Sequence, residues 1–148
     1  MTEITSNSPE ETSALGRQFG AQAEPGWVIG LTGELGVGKT QLVKGLAQGL
    51  GIEDRVQSPT FALVHQYTKG RVPLVHLDLY RLDTPSQIIG AGLEQFIYDP
   101  TVVVVIEWIE RWFGGEAPSL AAGGIYRHVR IQQIGETSRR IAYADTRT

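Results

Sequence analysis

Gly33-Glu34-Leu35-Gly36-Val37-Gly38-Lys39-Thr40 reads G-x-x-x-x-G-K-T, the pattern of a phosphate-binding loop. Glycines here let the chain turn tightly and bring backbone N–H groups, those of Glu34, Leu35 and Val37 included, against phosphate oxygens. Lys39 offers a flexible positive charge to β- and γ-phosphates, and Thr40 offers a hydroxyl to Mg²⁺. Trp27-Val28-Ile29-Gly30-Leu31-Thr32, just before the loop, reads as a buried strand. Residues 41–50, just after it, carry apolar side chains at helical spacing. Strand, loop and helix in that order predict an α/β fold in which a helix N-terminus points its positive dipole end at an anion. The competing reading is a Gly-rich turn that binds nothing.

The chain has 148 residues, 41% hydrophobic and 20% charged, which suits one globular domain spanning 1–148. A net charge of −3 argues against broad binding to a nucleic-acid backbone and leaves a local basic patch open. There are no cysteines, hence no disulfide framework and no thiolate zinc site. Residues 1–11 are polar and lack the apolar stretch of a signal peptide. The longest apolar run, 102–106, is too short to span a membrane. A cytoplasmic location is expected.

Residues 1–8 are expected to be flexible, with Ser8-Pro9-Glu10-Glu11 as a helix start. Leu15, Phe19 and Ala23, with Ala14, give that helix an apolar face. Residues 61–67 and 72–78 read as a hairpin about Lys69-Gly70-Arg71. Pro73 implies that the second strand begins at a sheet edge or outside the ladder. Thr84-Pro85 opens a further helix, which Gly90 and Gly92 interrupt before a short turn at 93–98. Thr101-Val102-Val103-Val104-Val105-Ile106-Glu107 is the clearest strand, buried on both faces as in a parallel sheet. Residues 108–113 are short and helical, and 114–124 read as a surface loop. Residues 128–132 and 140–143 read as a terminal antiparallel pair.

A phosphate loop needs a nearby strand-end acid to hold Mg²⁺ or its waters. Asp78 and Glu107 both qualify. The alternatives are an N-cap for Asp78 and, for Glu107, a rim carboxylate paired with an arginine. Ser58-Pro59-Thr60 sits where nucleotide hydrolases often place a switch segment that senses the γ-phosphate, although an ordinary turn also explains it. Trp108 fits core packing or a place near a nucleotide, and Arg81 fits a charge partner, a phosphate contact or a plain surface arginine. His65 and His76 lack metal-ligand spacing and read as structural. The guanine-reading N-K-x-D pattern is absent, which favours ATP, and residues 81–99 lack the several arginines of a kinase lid.

The loop, Ser58-Pro59-Thr60-Phe61, His76-Leu77-Asp78-Leu79-Tyr80-Arg81-Leu82 and Val105-Ile106-Glu107-Trp108 together resemble the TsaE (YjeE) family, over about residues 10–143. Its members are bacterial ATPases required for the threonylcarbamoyl modification of the adenosine beside the tRNA anticodon. The resemblance implies a P-loop NTPase-like three-layer fold with helices on both faces. Its sheet is mixed, mainly parallel, with an inserted antiparallel hairpin and a C-terminal hairpin. ATP is implied at the loop and Mg²⁺ at Thr40 and Glu107. Asp78 is implied in hydrolysis, and Ser58 and Thr60 in a switch. Thr12 of the first helix and an arginine of the last hairpin, Arg140 with Arg139 adjacent, are implied beside the base. Gln41 stands where members often have Thr, its backbone N–H still able to meet the α-phosphate. The implied partners are TsaD, which transfers the threonylcarbamoyl group from an adenylate made by TsaC or a relative, and TsaB. Hydrolysis, slow in the isolated chain, resets that complex between turnovers. Contact with tRNA is expected only indirectly, as no aromatic-basic platform is evident. A binding-only switch module and a small kinase remain as competing readings.

Overall fold

Residues 102–106, all β-branched and apolar, need cover on both faces, and they lie in the middle of the sheet. The computed structural model describes residues 1–34, 36–56, 64–113 and 124–147. Strand β5 (Val103–Glu107) is buried throughout and pairs in parallel with β2 (Val28–Thr32) on one side and β4 (Leu74–Asp78) on the other. Strand β6 (Ile125–Gln133) extends the parallel set beyond β2. Three antiparallel strands complete the sheet. They are β3 (Val64–Tyr67) outside β4, β7 (Arg139–Arg147) outside β6, and β1 (Thr2–Ser6) outside β7. The order among the described residues is β1-β7-β6-β2-β5-β4-β3. This is the mixed α/β sheet, with its inserted and C-terminal hairpins, that the sequence predicts.

Helices α1 (Pro9–Gln22) and α2 (Lys39–Gly49) cover one face, where Leu15, Phe19, Leu42 and Leu46 share a core with Leu31, Val103 and Val105. Helices α3 (Pro85–Gly90), α4 (Glu94–Ile97) and α5 (Glu110–Phe113) belong to the other, where Ile88, Leu93 and Ile97 pack with Val75, Leu77 and Val104. The predicted caps form: Ser8 Oγ accepts from Glu11 N, and Thr84 Oγ1 from Gln87 N. Pro73 precedes the ladder of β4, and its carbonyl accepts from Val103 N.

The expectation of a flexible 1–8 is corrected. Thr2–Ser6 is a strand that runs antiparallel to β7, with Ile4 opposite Ile141. Ile4 packs on the core, and Ser6 Oγ lies 2.8 Å from Thr12 Oγ1. Pairing also covers a strand edge that β7 would otherwise present to water. Leu35, the candidate switch residues Ser58 and Thr60, the expected strand start at 61–63 and the expected loop at 114–123 lie outside the described residues. No helix among the described residues is long and apolar enough to cross a membrane.

Helices α1 and α2 meet backbone to backbone. A Cβ built on Gly45 would stand 2.1 Å from the Ser13 carbonyl oxygen, and one on Gly16 would stand 2.3 Å from that of Leu42. Glycine at these positions therefore sets the helix separation. Gly45→Ala is expected to force the helices apart and cost about 1–3 kcal/mol, as overpacking does. Lys44→Ala, on the exposed side of α2, should change stability by less than about 0.5 kcal/mol. Thermal or denaturant unfolding of the two variants measures the difference.

Candidate nucleotide site

Parallel pairing brings strand ends together. Leu31 and Asp78 are both register partners of Glu107, so β2, β4 and β5 finish side by side at the edge where the loop begins. Carboxyl ends of parallel strands are where open α/β sheets bind ligands. Gly36 (φ 76°) and Gly38 (φ 117°) take the left-handed backbone that favours glycine. A Cβ built on either meets nothing within 4 Å, so the space before the loop is open. Gly38 is the N-cap of α2 and supplies no side-chain cap, so the first-turn N–H groups of an eleven-residue helix face this space without one. Such a cradle can take an oxyanion.

Lys39 is buried at the start of α2. Its Nζ donates to Gly33 O at 2.6 Å and lies 3.9 Å from the centre of the Trp108 ring. Burial pulls its ammonium below the ordinary lysine range, against the opposing charges of Glu107, Asp78 and Glu110. Trp108 is the one non-glycine residue at positive φ among those described (62°), in a turn whose Trp108 and Ile109 amides both donate to Leu31 O. That backbone costs a bulky residue about 1–3 kcal/mol. It also sets the half-buried indole beside Lys39, while the ring packs against the second core cluster as well.

Glu107 is 4% exposed. Its partner is not an arginine. Glu107 Oε2 accepts from His76 Nε2 at 2.6 Å, and His76 is fully buried. His76 was expected to be structural, and its contact with Glu107 is what sequence reasoning missed. The alternation of a strand puts 76 and 78 on one face, which is the signal that points to it. Asp78, half-buried, accepts from Tyr80 N at 2.9 Å. Burial raises its carboxyl above the usual range, the Tyr80 N–H opposes this, and the Glu107 charge adds to it. Glu107, His76 and Lys39 are the charges that act on Asp78; exposed Arg81 is not among them.

Thr12, Gly36, Gly38, Gln41 and Arg139 line a cleft of about 270 Å³ on the α1 side of the loop. Gln41 Nε2 donates to Ser13 Oγ at 2.7 Å, so this side chain ties α2 to α1. The arginine of the last hairpin that lines this cleft is Arg139. Its Nε donates to Val37 O at 2.8 Å. Arg140 is exposed, with its backbone in register with Thr5, and is not among the residues that line this cleft. Adjacent strand residues point to opposite faces, so one residue of register separates the two. Thr40 follows Lys39 in the first turn of α2 and is half-buried.

The sequence model of the family described as threonylcarbamoyl adenosine biosynthesis protein TsaE matches residues 6–141. A relative from Nostoc named tRNA threonylcarbamoyladenosine biosynthesis protein TsaE is 46% identical over 114 residues, 75% of this chain and 70% of its own. The protein of the same name from Bacillus subtilis is 44% identical over 101 residues, 68% of this chain and 62% of its own. That from Haemophilus influenzae is 34% identical over 148 residues, covering 93% of each chain. The crystal structure of Bacillus subtilis YdiB superposes with a TM-score of 0.77 at 29% identity, covering 99% of this chain and 86% of that one. The fold is thus P-loop NTPase-like, and the chain belongs to the TsaE family of tRNA threonylcarbamoyladenosine biosynthesis.

Proposed function

We propose that the chain binds ATP with Mg²⁺ at the loop and hydrolyses it as the accessory ATPase of the tRNA threonylcarbamoyladenosine-modifying complex. The observation that carries this reading is Glu107: a buried carboxylate at the end of β5, near enough for its charge to act on Lys39, which directly follows the open glycines of the loop. Among the described residues no group of three or more His, Asp or Glu is clustered to hold a metal ion alone. Mg²⁺ needs no such cage, since it takes one or two carboxylates together with phosphate and water oxygens. The residues present fit it: Thr40 and Glu107 would hold the ion. Bound there, Mg²⁺ neutralises charge that develops on the phosphates during transfer.

The chain's own groups have separate tasks. First-turn amides of α2 hold phosphate oxygens. Lys39 exchanges the Gly33 carbonyl and the Trp108 face for a phosphate oxygen. Asp78, half-buried with its carboxyl raised, accepts a hydrogen bond from the attacking water and orients it. Thr12 and Arg139 frame the nucleoside side. The isolated chain turns over slowly, because TsaD and TsaB complete the positioning of the water. Hydrolysis then resets the transferase for its next tRNA, in the cytoplasm, without direct tRNA contact by this chain. Phosphate release from ATP, measured for the chain alone and then with both partner proteins and tRNA, tests this. A rise on addition supports it, and equal rates with and without partners contradict the accessory role.

Lys39→Ala and Glu107→Gln are each expected to lower turnover in the reconstituted complex by about 10²-fold or more, the scale of losing one charge-stabilising group. Normal hydrolysis by the Glu107→Gln protein would show that the metal assignment is wrong. Arg139→Ala should weaken binding of a fluorescent ATP analogue about tenfold, roughly one charged hydrogen bond. Arg140→Ala should leave it within about twofold.

A further inference from the structure

His76 occupies a row of buried apolar residues, between Val75 and Leu77, and is itself 0% exposed. Its Nδ1 is buried and has no hydrogen-bond partner among the described residues. An unpaired ring nitrogen there carries a desolvation cost that another leucine would avoid. The other nitrogen, Nε2, makes the one contact that offsets it, 2.6 Å from Glu107 Oε2. Opposite a carboxylate oxygen, Nε2 is the donor, whether or not Nδ1 also carries a proton.

A second observation shows what the contact prevents. Glu107 is the charge that acts most strongly on Lys39, yet the two form no ion pair among the described residues. Lys39 gives its Nζ to Gly33 O instead, and Glu107 gives Oε2 to His76. A direct Lys39–Glu107 pair would occupy the ammonium meant for phosphate and the carboxylate meant for the cation. We infer that His76 is a positioning residue, which holds Glu107 by Oε2 so that its remaining oxygen stays available to the nucleotide-bound Mg²⁺ and Lys39 stays free for phosphate. This rests on the Mg²⁺-ATP reading above. Partners that orient a ligating carboxylate typically alter metal affinity 10–100-fold when removed.

The test compares His76→Gln, His76→Asn and His76→Leu with Glu107→Gln, by the Mg²⁺ concentration at which ATP binding is half strengthened. Binding of ATP without Mg²⁺ and the melting temperature are read alongside. Gln can place an amide N–H near the Nε2 position, and Asn reaches only the Nδ1 position. His76→Leu and His76→Asn should raise the Mg²⁺ midpoint at least about tenfold, and should also weaken Mg²⁺-free ATP binding, since the released Glu107 can then pair with Lys39. His76→Gln should restore the midpoint to within about threefold of the parent. The double variant Glu107→Gln/His76→Leu should have the same midpoint as Glu107→Gln, since the histidine acts through that carboxylate. If Glu107→Gln shifts the midpoint and the His76 variants do not, the inference fails alone. If His76→Gln rescues no better than Leu, the ring is only structural. If Glu107→Gln keeps the parent's midpoint, the metal reading itself falls. Should the variants melt too low to assay, ¹⁵N-histidine spectra of the parent decide: Mg²⁺ added to the ADP-loaded protein should shift the His76 Nε2 signal, and an unmoved signal would overturn the inference.

Discussion

A carboxylate nearly shut off from water is tolerated only where something compensates it, and Glu107 is such a group. Its position follows from the sheet. Five β-branched residues demand burial on both faces, which places β5 between two parallel neighbours and carries Glu107 to the sheet's carboxyl edge. The same register brings Asp78 beside it, while the adjoining loop brings Lys39. His76 supplies the near contact, and Lys39 supplies charge from a distance. The site is therefore a set of charges that do not pair directly: Lys39 bonds to Gly33 O, and Glu107 bonds to His76.

The α1 side depends on a different constraint, the backbone contact of α1 with α2. Gly16 and Gly45 allow it, and Ser13 with Gln41 fastens it at the end nearest the loop. Thr12 is delivered to the cleft by that contact and held there by Ser6 of β1. The last hairpin is anchored through Arg127, which meets Asp145 with Nε at 2.6 Å and Nη2 at 2.9 Å. Its guanidinium also lies 4.7 Å from the Phe19 ring of α1. With α1 and the hairpin both fixed, Arg139 reaches the Val37 carbonyl and closes the cleft.

Much of this was legible before any coordinates. Local rules sufficed for the loop, the caps at Ser8 and Thr84, the two-faced strand at β5 and the short helices about Gly90 and Gly92. They also found both strand-end carboxylates. What stayed hidden depended on pairing between distant residues. The strand Thr2–Ser6 is polar, and its partner begins more than a hundred residues later, so its own composition reads as a loose end. The choice between Arg139 and Arg140 turns on one residue of register, to which side-chain direction is completely sensitive. His76 reads as an isolated core histidine until β4 and β5 are aligned. The positive φ of Trp108 has no counterpart in residue type, because only the fold imposes it.

The central claim is that the open cradle takes the phosphates of ATP while Thr40 and Glu107 share a cation. A crystal structure with a non-hydrolysable ATP analogue and Mn²⁺ in place of Mg²⁺, read by anomalous scattering, tests it most directly. The account predicts phosphates against the first turn of α2, Lys39 Nζ moved from Gly33 O onto them, and one anomalous peak between Thr40, Glu107 and the phosphates. Nucleotide bound elsewhere, or a metal peak remote from Glu107 with Lys39 still on Gly33 O, would contradict it.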